Sequence, residues 1–277
     1  MALSVATNIG ALSANKAATA VNKNLETSMA RLASGKRINS AADDSAGLAI
    51  ASRLTSEARG LDMAARNAAD GQAMLDTIES AHNEIANILQ RMRELAVQGA
   101  NDTNGTADRS NMRLELTELK EEIDAIAQQT KWAGNTLIST ATTFRFQVGD
   151  EGSEQLTVTT SLVSASALAT SAALTKISEL TTSAKFTSYV DTVNSAIATV
   201  ASFRAEYGAN SNRLDHIMSH LATSSESVKA SLGRIEDADY AAETTELAKS
   251  QILQQAATSM LAQANASKQT ILSLLQG

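Results

Sequence analysis

The sequence contains no cysteine and no proline, and it has few aromatic residues. Without cysteine, the 277 residues have no disulfides, no thiol nucleophile and no cysteine-ligated metal site. Proline disrupts helix interiors, so its absence permits very long helices. Aromatic residues make up 3% of the chain, and any core must therefore be built from Ala, Leu, Ile, Val and Met. Such side chains favour thin seams between helices over a thick globular interior.

The balance of charge and hydrophobicity limits the partners that the chain suits. The net charge is −7, so no basic excess is available to neutralise the phosphates of a nucleic acid. No run of about 18 apolar residues is present, and we expect no membrane-spanning helix. Residues 1–8 lack the basic region and the continuous apolar stretch of a standard signal peptide. If the chain is exported, we expect a route without a cleaved leader.

Apolar residues spaced alternately three and four apart predict a long helix in the first half of the chain. The stripe runs from Leu61 to Ala96, and this period is typical of a helix. Ser40 and Asp43 have the spacing of a capping box, so the helix is predicted to begin between residues 40 and 45. It is predicted to end near Gly99, where a loop follows. About 55 residues with a rise of about 1.5 Å each would span about 80 Å.

The same spacing predicts two more helices. The second carries apolar residues in register from Met112 to Ile126. Because only a short loop precedes it, we expect it to pack antiparallel to the first. The third is long and carries an imperfect but sustained stripe from Phe186 to Leu232.

Between the second and third helices the period changes to two. Phe144, Phe146 and Val148 alternate with polar residues, as do Leu156 and Val158 after the turn at residues 149–152, which predicts a β-hairpin. The chain from there to Ser183 is predicted to be irregular. Ser and Thr are dense from Ser139 to Ser188, and this density indicates either a solvated loop or an O-glycosylated outer surface.

The two ends of the chain resemble each other in being amphipathic and almost uncharged. Residues 1–22 contain one charged side chain, Lys16, and residues 250–277 contain one, Lys268. Since an exposed helix normally carries charge on its outer face, we expect both faces to become buried, against each other and against other copies of the chain. A coiled pair within one chain is the alternative. The predicted inner-core interface consists of Ala14, Ala18, Val21, Leu25, Leu32, Leu253, Ala257, Met260, Ala264, Ile271 and Leu274, with Ser28 and Ser267 in the same register.

Several longer motifs are more specific than these periodicities. Residues 32–50 read LASGKRINSAADDSAGLAI, and residues 89–98 read LQRMRELAVQ. Further on stand YGANSNRL at residues 207–214, RIEDADYA at 234–241 and QILQQA at 251–256. In this order and spacing, the motifs resemble those of the bacterial flagellins from end to end, except between about residues 150 and 185. Ser211 stands where the family usually has Gln.

The resemblance implies a mainly α fold, an elongated antiparallel helical bundle or coiled coil with a small β-hairpin and with the N- and C-terminal helices paired. Residues 1–43 with 233–277 are expected to form the terminal coiled-coil domain of the inner filament core. Residues 44–140 with 186–232 are expected to form a helical rod, to which residues 141–185, the hairpin and the Ser/Thr-rich connection, belong. The short middle of the chain implies that the large outer domains of many flagellins are absent.

The function implied by the resemblance is structural. The chain is expected to be a secreted subunit that assembles with copies of itself into the flagellar filament, with no enzymatic activity and no cofactor. Expected partners are sister flagellins, the flagellar export chaperone, and the hook–filament junction and cap proteins. No nucleic acid or membrane partner is expected.

The resemblance also implies roles for two groups of residues. Arg91, Leu95 and Glu115 match positions at a rod-domain interface through which flagellins engage toll-like receptor five. The second group resembles the segment that the export chaperone contacts, although Gln276 and Gly277 replace the usual closing Arg. This group is Ile271, Leu272, Leu274 and Leu275.

Other polar clusters have simpler interpretations. His216 and His220 stand four apart, but no Glu occupies the metalloprotease position between them, and a solvated helix face is favoured over a metal site. His82 lies on the apolar stripe and is predicted to be a packed, hydrogen-bonded histidine. Lys36 and Arg37 are predicted to lie in a turn between helices, with contacts to acidic residues of a neighbouring subunit as a hypothesis.

Two alternatives to a filament subunit remain at this stage. A hook–filament junction protein would share the terminal helices, although the complete motif at residues 234–241 and the short middle favour a filament flagellin. A soluble coiled-coil signalling or adaptor protein would leave the uncharged ends unexplained. A secreted hydrolase is weaker still, because no nucleophile, base and oxyanion set can be assembled from the sequence.

Overall fold

The computed structural model describes residues 7–168 and 173–276, and most of these residues are helical. The helices are α1 (Ile9–Ser34), α2 (Ser45–Gly99), α3 (Thr106–Gln129), α4 (Ser183–Glu236) and α5 (Tyr240–Gln276). Four short strands, β1 (Lys131–Trp132), β2 (Asn135–Thr136), β3 (Thr143–Gln147) and β4 (Gln155–Thr159), lie between α3 and a 3-10 helix at Ala173–Glu179. The predicted mainly α fold with a small hairpin and paired terminal helices is confirmed. Among the described residues, no helix combines the length and the apolar character that crossing a membrane requires.

The chain divides into two compact units. Residues 1–58 with residues 226–277 form one, which we call the terminal unit, and residues 59–225 form the other, the central unit. Each unit contains residues that are far apart in the sequence, so both depend on contacts between the two halves of the chain.

Helix α1 pairs with α5 in the terminal unit, and the pairing is antiparallel. The Asn8 side-chain amide donates to the Ala264 carbonyl at 3.1 Å, and the Gln254 amide donates to Asn22 at 2.8 Å. Near the other end of α1, Arg31 approaches the Glu243 carboxylate at 3.5 Å. Partner numbers fall along α5 as they rise along α1, which defines the antiparallel register.

The apolar stripe predicted for α2 forms the centre of the central unit. Arg91 bonds to Glu115 of α3, and Arg109 donates to the Gly99 carbonyl at 3.0 Å, so α3 runs back along α2 as predicted. Side chains of α4 pack against the same core. Every residue of the predicted stripe is buried, namely Leu61, Ala64, Ala68, Gly71, Leu75, Ile78, His82, Ile85, Leu89, Met92 and Ala96.

The start of α2 lies where the sequence predicted, but the cap is a different residue. The Asp43 carboxylate accepts the backbone N–H groups of Asn39 at 3.1 Å and Ser40 at 2.9 Å, and these bonds close a separate turn. The N-cap bond of α2 comes instead from Asp44, whose Oδ1 accepts the N–H of Gly47 at 2.8 Å. The predicted capping box was therefore wrong, because one extra turn of chain precedes the helix.

The predicted hairpin is confirmed, with Phe144 opposite Val158 and Phe146 opposite Leu156. A smaller antiparallel pair, β1 with β2, was not predicted. Its two-residue turn places Ala133 at φ 48° and Gly134 at φ 87°, as a type I′ turn requires. The signal is weak in the sequence, because Ala seldom adopts a positive φ and the usual pair at such turns is Asn-Gly.

The described part of the Ser/Thr-rich connection after β4 is irregular up to residue 168, as predicted, but it forms a 3-10 helix at Ala173–Glu179, and it is not a solvated loop. The backbone N–H of Ser161 donates to the Tyr207 hydroxyl at 2.8 Å, and that of Ala165 donates to Asp124 at 2.9 Å. Apolar side chains from the connection enter the core between these anchors and beyond them. The buried members are Val163, Ala165, Leu168, Leu174, Ile177 and Leu180.

Two glycines provide a test of packing in the central unit. A Cβ added at Gly99 would lie 2.4 Å from the ring of Phe186, which is fully buried, whereas one added at Gly208 would meet nothing within 4 Å. We expect Gly99→Ala to lower the free energy of unfolding by about 1–3 kcal/mol through overpacking. Gly208→Ala, in the interior of α4, should raise it by about 0.5–1 kcal/mol. Urea unfolding of the monomeric chain followed by circular dichroism measures both, and equal effects of one sign would contradict this account.

His82 is packed and hydrogen-bonded, as predicted. Its side chain is fully buried, Nδ1 lies 2.8 Å from the Ile78 carbonyl, and Nε2 has no hydrogen-bond partner. The ring meets Phe203 and Tyr207 edge-on at centroid distances of 6.3 and 5.3 Å. Because the Ile78 carbonyl can only accept a hydrogen bond, Nδ1 must carry the proton of the neutral ring. Nε2 is then a hydrogen-bond acceptor that is buried without a donor.

Burial lowers the pKa of His82 from its ordinary value of 6.5, and the charge of Arg204 acts in the same direction. The Ile78 carbonyl and the Glu79 carboxylate oppose this shift but do not cancel it. The unfolded chain therefore takes up a proton at a higher pH than the folded chain does. The free energy of unfolding is therefore undiminished by His82 above about pH 6.5, the ordinary pKa of histidine. It declines as the pH falls from there toward the lowered pKa of His82 in the folded chain.

We expect this decline to disappear when His82 is replaced. In His82→Leu, the free energy of unfolding should vary less between about pH 7.5 and pH 5.5 than it does in the unmodified chain. His220→Asn, which changes an exposed histidine on α4, should keep the original pH dependence. Urea titrations at a series of pH values make the comparison, and equal slopes for all three chains would refute the assignment.

Candidate assembly surfaces

The seam between α1 and α5 is narrow and is lined by small residues. Ser28 on α1 and Ser250 on α5 are only 2% and 1% exposed. Small side chains permit close approach of the two helices, but each buries little apolar area. The half-buried members of the seam are Ala14, Ala18, Val21, Leu25 and Leu32 on α1 and Ala257, Leu261 and Ala264 on α5.

The predicted inner-core residues divide between this seam and the outer faces of the pair. All five predicted residues of α1 lie on the seam, together with Ala257 and Ala264 of α5. Leu253 and Met260 instead face away from α1 and are 43% and 65% exposed. The side chains of Ile271, Leu272, Leu274 and Leu275 lie outside the described residues, although the backbone of α5 continues to Gln276.

Large apolar side chains are exposed on the outer faces of both terminal helices. On α1 these are Ile9, Leu12 and Met29, which are 70%, 66% and 55% exposed. On α5, Ile252 is 66% exposed and stands next to Leu253. Ile9, Leu12 and Ile252 were not singled out from the sequence, because they lie beside the apolar stripe and not on it. The sequence pattern that could have identified these residues is a second apolar face within end segments, residues 1–22 and 250–277, that each contain one charged side chain.

The turns that follow α1 and α4 bind each other within the same chain. Gly35 adopts φ 73°, and its carbonyl accepts the N–H of Ala238 at 3.0 Å. The Lys36 ammonium lies 2.6 Å from the Glu236 carboxylate, and the Arg37 guanidinium donates to the Ile235 carbonyl at 2.6 Å. Lys36 and Arg37 thus lie in the predicted turn and make these contacts within one chain, and the contact with a neighbouring subunit stays a hypothesis.

Three acidic residues, Glu236, Asp237 and Asp239, lie at the turn between α4 and α5. Helix α4 ends at Glu236, and α5 begins at Tyr240. The Asp239 carboxylate accepts the N–H groups of Ala241 at 2.9 Å and Ala242 at 3.2 Å, so Asp239 caps α5. The Tyr240 hydroxyl donates to the Leu32 carbonyl at 3.2 Å, which ties the start of α5 to the end of α1.

The predicted receptor-contact residues lie together in the central unit, but they are not equally accessible. Arg91 Nε donates to Glu115 at 2.9 Å and Nη1 donates to Glu94 at 3.1 Å, and these carboxylates raise the pKa of Arg91. About half of each side chain of the Arg91–Glu115 pair is exposed. Leu95 is only 3% exposed. It therefore packs in the core, and its side chain is not available for direct contact.

Neither histidine of the candidate metal pair has a supporting cluster. His216 and His220 are exposed on α4, and within residues 7–168 and 173–276 no three His, Cys, Asp or Glu side chains are grouped to hold a metal ion.

Comparison with known proteins identifies the family. The sequence family described as the bacterial flagellin N-terminal helical region matches residues 5–143, and that described as the bacterial flagellin C-terminal helical region matches residues 190–275. A flagellin of Halalkalibacterium halodurans is 38% identical over 91% of this chain and 92% of its own length. A flagellin of Bacillus subtilis is 36% identical over 97% of this chain and 98% of its own length.

The fold is similar to that of a flagellar protein of another kind. A solved structure of a putative flagellar hook-associated protein from Vibrio parahaemolyticus superposes with a TM-score of 0.62, covering 70% of this chain and 100% of that chain at 18% identity. At that identity the likeness concerns the fold alone. The two sequence families and the near-complete relatives are more specific. The chain belongs to the bacterial flagellins, which are structural proteins of the extracellular flagellar filament and not enzymes.

Proposed function

We propose that this flagellin polymerises through its terminal helices, and that the outer faces of the α1–α5 pair are the surfaces that polymerisation buries. The observation that carries the proposal is the exposure of Ile9, Leu12, Ile252 and Met260 in the end segments 1–22 and 250–277, each of which contains one charged side chain. In a solitary subunit these side chains face water. Burying a large aliphatic side chain completely contributes about 1.5–3 kcal/mol, so several of them in each subunit supply a substantial driving force.

A second copy of the chain fits these faces better than another partner does. Within residues 1–22 and 250–277 the polar side chains are Ser, Thr, Asn and Gln, with one lysine in each segment, which allows a helix of the same composition to approach without ion pairing. The contact joins unlike patches of successive subunits, and a contact of this kind that does not close into a ring generates an open helical polymer. Because the seam within one subunit buries little apolar area, the α1–α5 pair becomes more ordered when neighbouring subunits cover its outer faces.

Residues 1–43 with 233–277 are the proposed inner-core domain, and residues 44–140 with 186–232 are the proposed rod. The hairpin and connection at residues 141–185 are assigned to the rod. The anchoring of this connection to Tyr207 and Asp124 supports that assignment.

The remaining partners are proposed from the family. The chain is exported unfolded, and the export chaperone contacts residues 271–275. Sister flagellins and the cap and hook–filament junction proteins contact the assembled polymer. If a host receptor of the toll-like type is engaged, the exposed Arg91–Glu115 pair makes the contact, and the buried Leu95 does not.

A hook–filament junction protein is the second candidate, because a hook-associated protein has a similar fold and the fold alone does not distinguish the two. Electron microscopy of the purified chain with short filament seeds distinguishes the two functions. A filament subunit elongates the seeds into long uniform filaments. A junction protein adds a short cap at hook ends and does not extend further.

We expect removal of either terminal segment to abolish filaments without unfolding the central unit. The deletions are residues 1–20 and residues 258–277. Each removes one side of the α1–α5 pair, while residues 59–225 keep their own core. Negative-stain microscopy measures filament formation, and circular dichroism measures retained helix. Normal filaments from either deletion would exclude the proposed mechanism.

A single charge on the outer face of α5 tests the surface itself. Ile252→Glu should prevent elongation of seeds, because the carboxylate would be buried without a partner. Ile252→Met is the matched control, since it conserves volume and apolar character, and it should elongate seeds nearly as well as the unmodified chain. Light scattering after seeding gives the rates. Elongation by the Glu variant at the control rate would show that this face stays in water.

A further inference from the structure

Methionine side chains are unevenly distributed between the core and the outer surface. Three on α2 and α3 are buried, and one on α4 is half-buried. Three others are about half exposed or more, and two of these lie on the terminal helices. The buried ones are Met74, Met92 and Met112, the half-buried one is Met218, and the exposed ones are Met29 (55%), Met63 (48%) and Met260 (65%).

We propose that Met29 and Met260 are oxidation sites that control polymerisation. Oxidation of these thioethers by a hydroperoxide blocks the addition of a free subunit to a filament, and polymerisation in turn shields them from the oxidant. This inference rests on the proposed function, because it takes the outer faces of α1 and α5 as the surfaces buried between subunits.

The chemistry needs only the thioether and the oxidant. A sulfur lone pair attacks the terminal oxygen of the hydroperoxide, forming an S–O bond as the O–O bond breaks. The proton of that oxygen passes to the departing oxygen, which leaves as an alcohol, or as water when the oxidant is hydrogen peroxide. The sulfur is oxidised by two electrons to the sulfoxide, and the peroxide is reduced by two. Because Met29 and Met260 are exposed, an oxidant in solution reaches both sulfurs.

The product is incompatible with the proposed contact. A thioether is soft and apolar and fills irregular gaps between helices, whereas a sulfoxide carries a strongly polar S–O bond. Residues 250–267 around Met260 contain no charged side chain. Arg31, the basic residue nearest to Met29 in the sequence, already faces the Glu243 carboxylate at 3.5 Å. A buried acceptor without a donor is costly. The same cost recurs at every subunit of a polymer.

Met63 supplies a matched control. It is exposed to a similar degree, but it lies on α2 in the central unit, where the Arg66 guanidinium is 2.6 Å from its sulfur. Oxidation at Met63 leaves the α1–α5 faces unchanged. The comparison therefore separates an effect of position from a general effect of oxidised methionine.

The test treats monomers with hydrogen peroxide until peptide mapping shows sulfoxide at Met29 and Met260, and then measures elongation of short filament seeds. The unmodified chain should lose elongation after treatment, and Met63→Leu should lose it equally. The double variant Met29→Leu with Met260→Leu should keep it, because leucine conserves volume and cannot be oxidised in this way. Equal loss in the double variant, or full elongation by the oxidised unmodified chain, would overturn the proposal.

A second measurement keeps the proposal falsifiable if the double variant fails to polymerise. Preformed filaments of the unmodified chain are exposed to the same peroxide and mapped for sulfoxide. Met29 and Met260 should remain reduced in filaments while they are oxidised in monomers, and oxidation at equal rates in both would refute the shielding. Filaments formed by the terminal deletions would refute the proposed function. Normal elongation by oxidised subunits, with the deletions still inactive, would refute only this inference.

Discussion

The antiparallel pairing of α1 with α5 is the interaction on which the terminal unit and the proposed assembly depend. It brings the two ends of the chain together through a seam of alanine, serine and a few larger aliphatic residues. Such a seam permits close approach but buries little apolar area, so the pair gains modest stability from its own contacts. Other large apolar side chains, namely Ile9, Leu12, Met29, Ile252 and Met260, lie on the outside. In the proposed polymerisation, other copies of the chain cover these faces.

Polar contacts determine the register of this weak seam. Apolar packing alone would tolerate a shift of one heptad along either helix. The Asn8–Ala264 and Asn22–Gln254 hydrogen bonds and the Arg31–Glu243 contact are each satisfied in only one register. The hydrogen bonds between the turns at residues 35–37 and 235–238 hold the same register at one end of the pair. The register thus comes from directional bonds, whereas the proposed polymerisation would draw its driving force from the apolar area buried between subunits.

The central unit follows a different principle. Its core is continuous, with α2, α3, α4, the hairpin and the connection contributing side chains that are almost fully buried. Close contacts between elements constrain how this core packs. The Phe186 ring of α4, for example, lies against Gly99 of α2 and leaves no room for a Cβ there. His82 is an exception within this core, since its Nε2 is buried without a partner. That exception makes the stability of the unit sensitive to mildly acidic pH, whereas the exposed histidines of α4 carry no such buried atom.

Periodicity and turn residues were sufficient to predict every long helix and the β3–β4 hairpin. The α2 stripe was predicted completely, because a helix buried over many turns must repeat its apolar residues every three or four positions. The family, and with it the structural function, followed from motifs spread over nearly the whole chain. The β1–β2 turn was missed because its first residue is Ala133, which gives no local signal for a positive φ. The cap of α2 was misassigned because Ser40 and Asp43 have the spacing of a capping box, yet their bonds close a separate turn and Asp44 accepts from the helix.

What the sequence by itself determined is the set of amphipathic faces, since the period of apolar residues depends only on local helix geometry. What only the tertiary structure decided is which of those faces are already covered within one chain. Ala257 and Leu253 were indistinguishable as predicted interface residues, yet the first lies on the seam with α1 and the second is exposed. Leu95 matched a receptor-contact position, yet it is buried in the core. The physical reason is that burial depends on residues distant in the chain, which local spacing does not record.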